Sequence, residues 1–236
     1  MIEVRGLSKY FGRFVALRNL DLAVKQGEFI ALFGRNGAGK STLLRLLAGL
    51  SRPSSGKIQY VRPGGSQNRM NIRSEIGYLS HLTSLYLDLT AMENLRFYSQ
   101  LMNIRPDEEV LLQKIARVGL GGREREPVRN YSRGMQQRLA IARAFLHDPE
   151  ILLLDEPFTG LDQSGSDLLK RILLDAHSRG KTCIMAIHDA PLGYELADRL
   201  VILERGAAVL DSPKSALSLI EFRDQYLKNA TDSTIS

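Results

Sequence analysis

Residues 34–41 contain a complete phosphate-loop pattern. Gly34, Gly39, Lys40 and Ser41 stand at the spacing G-x-x-x-x-G-K-S. Glycines allow backbone N–H groups to turn toward phosphate oxygens without a Cβ clash. A lysine at this place can reach the β and γ phosphates, and the serine hydroxyl can bind Mg²⁺. The pattern therefore predicts a site for a nucleoside triphosphate with Mg²⁺.

The residues on either side of this pattern favour a binding site over a structural glycine turn. Phe29–Phe33 is an apolar run typical of a buried strand, and Thr42–Ala48 is typical of a helix that ends near Gly49. A helix that begins after the loop directs its positive end at the anion. The residues predicted to bind the nucleotide are Gly34, Arg35, Asn36, Gly37, Ala38, Gly39, Lys40, Ser41 and Thr42.

Two acidic residues follow a second apolar run. Ile151–Leu154 is predicted to be a buried strand, and it leads directly into Asp155 and Glu156. In a phosphate-loop enzyme Asp155 would hold Mg²⁺, and Glu156 would polarise the attacking water if held within hydrogen-bond reach. Two acids at a strand end are usually a solvated corner, but the phosphate loop favours the catalytic interpretation here.

Composition narrows the class of protein only a little. The chain has 236 residues, 44% apolar and 25% charged, as expected of one large globular domain or a domain with a subdomain. The formal net charge is +6, but the basic residues are scattered, so charge alone selects no anionic partner. The single cysteine, Cys183, excludes an internal disulfide framework and a cysteine-rich zinc site. With no secretory signal pattern and no apolar run near ~18 residues, we expect a cytoplasmic chain that reaches a membrane only through a partner.

The order of predicted elements indicates an α/β fold. Residues 2–26 alternate in strand fashion, residues 90–146 have helical periodicity, and short apolar runs separated by helices follow. This alternation predicts a mostly parallel sheet with a block of helices inserted into it. Arg62–Asn71 is predicted to be an exposed loop.

Residues 131–138 read Y-S-R-G-M-Q-Q-R and precede a helical run. This segment resembles the L-S-G-G-Q signature of ABC ATPases, with Ser132 and Gly134 retained. The resemblance extends from Ile2 to about Tyr226, because the other motifs follow in the family's order. Those motifs are the phosphate loop, the signature, Asp155-Glu156, Thr159-Gly160-Leu161-Asp162 and His188.

The resemblance implies a fold and its boundaries. It implies a P-loop NTPase (RecA-like) core with a mostly parallel sheet, an N-terminal antiparallel β part and an inserted helical subdomain. We expect one ABC ATPase domain over residues 1–228, with the helical subdomain at about 82–148 and a flexible tail at 229–236.

The resemblance also implies a reaction and an assembly. ATP and Mg²⁺ would bind between two copies in a head-to-tail homodimer, and Lys40, Glu156 and His188 would act in hydrolysis, with His188 on the γ-phosphate. Ser132 and Gly134 would complete the partner's site, and Asp162 would lie at the dimer seam. Phe11 matches the aromatic that stacks on adenine, with Tyr10 as a neighbouring candidate. Core packing of the aromatic is nearly as good an interpretation.

The sequence departs from the family pattern in two places. The signature has Tyr131, Arg133 and Met135, and Arg133 would either crowd the dimer seam or add positive charge near phosphate. Where the family usually has a glutamine after Gly77-Tyr78-Leu79, this chain has Ser80-His81. His81 would either replace that glutamine near Mg²⁺ or be an ordinary loop histidine. His147 and His177 are predicted to be surface residues.

The number of residues between the phosphate loop and the signature distinguishes the branches of the family. Only about ninety residues without heptads lie between Ser41 and Tyr131, unlike the coiled-coil repair ATPases. The expected role is a cassette at the cytoplasmic face of the membrane, energising export by a separate membrane subunit, with no nucleic acid. Gly77–His81 and Asp88–Tyr98 look like the ATPase subunit of the haem exporter of cytochrome c maturation. Alternatives are a drug or lipid exporter ATPase, a soluble ATP switch on nucleic acid or ribosomes, and a module that binds ATP but rarely hydrolyses it.

Overall fold

The computed structural model describes residues 1–61 and 72–231, so the predicted loop Arg62–Asn71 lies outside the described residues. The described strands are β1 (Ile2–Phe11), β2 (Phe14–Val24), β3 (Phe29–Phe33), β4 (Ser55–Tyr60), β5 (Ile76–Leu79), β6 (Ile151–Asp155), β7 (Thr182–Ala186), β8 (Arg199–Glu204) and β9 (Ala207–Pro213). The described helices are α1 (Lys40–Leu47), α2 (Ala91–Leu101), α3 (Glu108–Arg117), α4 (Arg133–Ala144), α5 (Gln163–Ser178), α6 (Ala190–Leu196) and α7 (Leu219–Thr231).

Two sheets organise these elements. Strands β2, β1 and β4 form an antiparallel sheet in that order. The larger sheet has the order β5-β6-β7-β3-β8-β9, and every pair in it is parallel except the last, β8 with β9. The predicted α/β class, with a mostly parallel sheet and an N-terminal antiparallel part, is confirmed. Antiparallel β9 was not among the predicted strands.

Alternation along β3 shows how the parallel sheet separates two cores. Phe29, Ala31 and Phe33 face the core shared with the helices from α2 to α7, while Ile30 and Leu32 face the core shared with α1 and the antiparallel sheet. All five side chains are fully buried. Burial on both faces explains why the parallel strands read as unbroken apolar runs in the sequence.

Helices α2, α3 and α4 lie between β5 and β6 in the sequence, although those strands are neighbours in the sheet. The helical block is therefore an insertion between adjacent strands. Helix α2 begins at a capping box: the Thr90 hydroxyl accepts from the Glu93 N–H, and the Glu93 carboxylate accepts from the Thr90 N–H. The domain limits remain predictions, and α7 runs to Thr231, three residues into the predicted tail; residues 232–236 are outside the described part.

Three side chains far from the phosphate loop complete the account of the core. Cys183 is fully buried in β7, and burial raises the pKa of its thiol to about 12. The surface placement predicted for His147 and His177 is wrong, because both rings are half-buried. Burial lowers the pKa of His147. The His177 ring packs edge-on against Phe29, with ring centroids 5.7 Å apart.

Candidate functional site

The phosphate loop connects β3 to α1 at the carboxyl end of the parallel sheet. Gly34 has a φ of 142°, and a Cβ there would lie 2.3 Å from the Leu203 carbonyl oxygen, so only glycine fits. Gly39 is the N-cap of α1 with a φ of 106°, and the helix has no side-chain cap. Its first backbone N–H groups are therefore available to an anion, in the place that the sequence predicted.

Lys40 is the first residue of α1 and is 5% exposed. Its ammonium donates to the carbonyl oxygens of Gly34 at 2.6 Å and Arg35 at 3.3 Å. Burial lowers the pKa of Lys40, while the carboxylates of Glu156 and Asp155 act in the opposite direction. Lys40 therefore interacts both with the phosphate loop, through hydrogen bonds, and with the acidic end of β6, through its charge.

Ser41 and Asp155 bring two oxygen ligands together. The Ser41 hydroxyl donates to Asp155 Oδ1 at 3.0 Å, and Asp155 is 2% exposed. Burial raises the pKa of Asp155, and the hydrogen bond from Ser41 opposes that shift. A hydroxyl and one carboxylate fit the way proteins hold Mg²⁺, with substrate phosphates and water completing the shell.

Glu156 and His188 form a second pair beside the first. His188 Nε2 lies 2.6 Å from Glu156 Oε1, and both residues line an open cavity of about 620 Å³. The pair meets because β6 and β7 are adjacent parallel strands, so the residues after each strand emerge at the same edge. Glu156 adopts a left-handed φ of 52°, and its N–H donates to the Ala186 carbonyl oxygen at 3.0 Å. A carboxylate held in this way can act as a general base toward water.

A second cavity, of about 400 Å³, lies on the other side of the phosphate loop. Its lining comes from four segments of the described chain: Phe14, residues 34–38, residues 202–205, and Tyr226 of α7. Phe11 is not in this lining, although it is the register partner of Phe14 across the β1–β2 hairpin. Phe11 is 54% exposed, so the core-packing interpretation is wrong, and adenine stacking remains a prediction.

His81 is exposed in the loop after β5. In the register of β5 with β6, Leu79 pairs with Leu154, so Ser80 rather than His81 is level with Asp155. The Ser80 hydroxyl donates to the Leu82 carbonyl oxygen. Both interpretations of His81 stay open as predictions.

The signature residues form a group at the beginnings of α4 and α5. Ser132 caps α4 by accepting from the Met135 N–H at 3.3 Å, and Asp162 caps α5 by accepting from the Gly165 N–H at 2.8 Å. Arg138 joins the two helix starts, because its Nη2 donates to Asp162 Oδ1 at 2.8 Å. These contacts with Gly165 and Arg138 lower the pKa of Asp162. Gly134 lies in the first turn of α4, facing the Gly160 carbonyl oxygen.

The sequence reasoning missed Gln137 and Arg138 as contacts of the loop after β6. Gln137 Nε2 donates to the Pro157 carbonyl oxygen at 3.1 Å. Helical spacing was the available signal, because positions 137 and 138 lie one turn after Arg133 and Gly134 on the same side of α4.

The fold and these side chains define a phosphate-loop nucleotide-binding protein. The family model described as ABC transporter matches residues 17–159, and the chain belongs to that family. It is 37% identical, over 87% of its length, to the sulfate/thiosulfate import ATP-binding protein CysA of Mesorhizobium japonicum, and spans 61% of that relative. It is 35% identical, over 80% of its length, to the cytochrome c biogenesis ATP-binding export protein CcmA of Vibrio cholerae, and spans 91% of it.

Solved structures agree with this assignment. A dimeric ATP-binding cassette in a post-hydrolysis state, bound to ADP and Pi, has a TM-score of 0.79 and 26% identity. The match covers 91% of this chain and 99% of that one. The resemblance to ABC ATPases is thereby confirmed. None of the helices in residues 1–61 and 72–231 is both long and apolar enough to cross a membrane.

Proposed function

We propose that this chain binds and hydrolyses ATP as the nucleotide-binding subunit of an ABC transporter, and that it powers export through a separate membrane subunit. The observation that carries the proposal is the convergence of Lys40, Ser41, Asp155, Glu156 and His188 at one edge of the sheet. Each of these groups has the chemistry that ATP hydrolysis requires.

The phosphates are the first target of this site. The uncapped start of α1 and the ammonium of Lys40 would hold the β and γ phosphates. Ser41 and Asp155 would hold Mg²⁺, which would neutralise negative charge on those phosphates. Glu156 would take the proton of the attacking water. The Nε2–H of His188, 2.6 Å from the carboxylate, would fix Glu156 before ATP binds, and the same N–H would turn to the γ-phosphate when ATP is present. The tautomer of His188 that fits this role carries its proton on Nε2.

The capped starts of α4 and α5 suggest where a second copy binds. Ser132 and Asp162 are exposed, and each side chain caps its own helix. Their capping hydrogen bonds are made within α4 and α5 and not to the phosphate loop. In a head-to-tail homodimer, Ser132 and Gly134 would complete the partner's nucleotide site. Arg138 would hold Asp162 in place at the seam.

The stretch that resembles the haem exporter ATPase bears on which molecule is transported. Thr90 and Glu93, which belong to the stretch that resembles the haem exporter ATPase, form the cap of α2. Asn94 is fully buried and holds the preceding loop through Tyr86. Local contacts therefore explain Thr90, Glu93 and Asn94, because these residues cap α2 and hold the loop before it. Haem export rests on the resemblance of Gly77–His81 and Asp88–Tyr98 to the haem exporter ATPase, and export of another small molecule is the competing proposal.

A pull-down with a trapped variant tests the transporter assignment. Tagged Glu156→Gln protein would be expressed in its native cells, and membranes would be solubilised gently with ATP present. We expect integral membrane subunits to co-purify, and cytochrome c maturation proteins among them would favour haem. Wild-type protein without ATP is the matched control. Recovery of soluble partners or nucleic acid alone would instead favour the ATP-switch alternative.

A further inference from the structure

Gln137 is a buried polar side chain that reaches from α4 to the loop after β6. It is 5% exposed, and its Nε2 donates to the Pro157 carbonyl oxygen at 3.1 Å. Buried polar groups in native structures are paired, and removal of one partner leaves the other unsatisfied. Pro157 directly follows Glu156, so this amide bonds the carbonyl oxygen of the residue next to the proposed general base.

Glu156 needs such support because its backbone is strained. A left-handed φ of 52° in a residue other than glycine persists only where the surroundings hold it. On the amino side the Glu156 N–H is bonded to the Ala186 carbonyl oxygen of β7 at 3.0 Å. On the carboxyl side the support comes from Gln137. Glu156 therefore lies between two anchored points of the backbone, its own N–H on β7 and the Pro157 carbonyl on α4.

Two further side chains of α4 contact the same loop. The Arg133 side chain lies across Gly160, with Nε 3.1 Å and Cδ 3.4 Å from where a Cβ of that residue would be. Arg138 bonds Asp162 at 2.8 Å. Residues 156–162 are thus attached to the first two turns of α4 along their length. Arg133, which departs from the family signature, lies along its own chain's loop.

We propose that Gln137 is a positioning residue for Glu156, and that through it α4 controls the geometry of the general base. The proposal rests on the function proposed above. Because Ser132 caps the same helix, a shift of α4 when Ser132 meets the partner's nucleotide would reach Glu156 of its own chain through one hydrogen bond. Each copy would then set its own base according to the nucleotide bound by the other.

The test compares two adjacent glutamines. Gln137→Met keeps the length of the side chain and removes the donor, and Gln137→Asn keeps an amide that is too short to reach Pro157. The control is Gln136→Met, because the Gln136 amide donates to Val128 and Tyr131 within its own segment and not to the loop. We expect about tenfold lower kcat for both Gln137 variants, with unchanged KM for ATP, and near wild-type kcat for the control.

A double substitution separates positioning from general damage. If Gln137 acts through Glu156, adding Gln137→Met to Glu156→Gln leaves the single-turnover rate unchanged. A further fall in that rate, an equal loss in Gln136→Met, or wild-type kcat in both Gln137 variants would overturn the inference. Absence of ATPase activity in the wild-type protein would instead overturn the proposed function, so the two failures are distinct.

Discussion

Replacement of Glu156 by glutamine tests the assignment of the general base most directly. The side chain keeps its shape and can still bond His188 Nε2, which lies 2.6 Å from Glu156 Oε1. The variant loses only the negative charge and the ability to take a proton from water. General-base catalysis contributes about 10²–10⁴-fold, so we expect kcat to fall by that factor, which is about 3–5 kcal/mol of transition-state stabilisation.

The same change should strengthen ATP binding. The charge of Glu156 acts on Lys40, the residue proposed to hold the β and γ phosphates, so the same charge would repel those phosphates. Two unit charges about 4 Å apart interact by about 1 kcal/mol in water, and removing this repulsion should lower the Kd of ATP about fivefold or more. We expect the variant to accumulate as an ATP-bound dimer.

The assay is steady-state phosphate release together with size-exclusion chromatography at saturating MgATP. Asp167→Asn is the matched control, because Asp167 lines the same cavity but bonds the exposed Gln163 amide instead of His188. A Glu156→Gln protein that hydrolyses ATP at the wild-type rate would refute the role of Glu156 as general base. A variant that binds ATP more weakly than wild type would refute the electrostatic reasoning.

Three further predictions concern the phosphate loop and Asp155. Lys40→Ala should weaken ATP binding at least about 100-fold, measured with a fluorescent nucleotide, because no other buried ammonium replaces Lys40 at this loop in the described residues. Asp155→Asn should abolish Mg²⁺-dependent turnover. Burial raises the pKa of Asp155, so its ionised form destabilises the fold above the unfolded pKa. The variant should therefore have a higher Tm than wild type at pH 7, and the difference should vanish in acid. Gly34→Ala should destabilise the chain by at least about 3 kcal/mol in urea, because its Cβ would meet the Leu203 carbonyl oxygen at 2.3 Å, whereas Gly37→Ala should cost about 1 kcal/mol, since a Cβ there meets nothing within 4 Å.

The central part of the fold could be predicted from the sequence because local pattern and chemistry agree there. The loop after β3 and the acids at the end of β6 each follow an apolar run, and the carboxyl ends of parallel strands meet at one edge of the sheet. Ser41 and Asp155 are therefore hydrogen-bonded although they are 114 positions apart in the sequence.

Other contacts depend on packing between elements that are distant in the sequence. The amide of Gln137 donates to the Pro157 carbonyl oxygen, twenty residues away, and no sequence pattern links these two residues. His147 and His177 were placed at the surface because histidine carries no periodic signal, whereas the structure half-buries both rings. Phe11 has the strand position of a core aromatic, but it falls at the end of β1, where the hairpin leaves it exposed.

The burial of Cys183 makes the chain suitable for spectroscopic labelling. It is the only cysteine in the sequence, and a thiol with a pKa of about 12 and no solvent exposure does not react with maleimides or methanethiosulfonates in the folded protein. A cysteine introduced at an exposed position of α3, such as Gln113, would therefore carry a fluorophore or spin label without removal of the native thiol. Distances between two such labels would follow the approach of two copies through the ATP cycle.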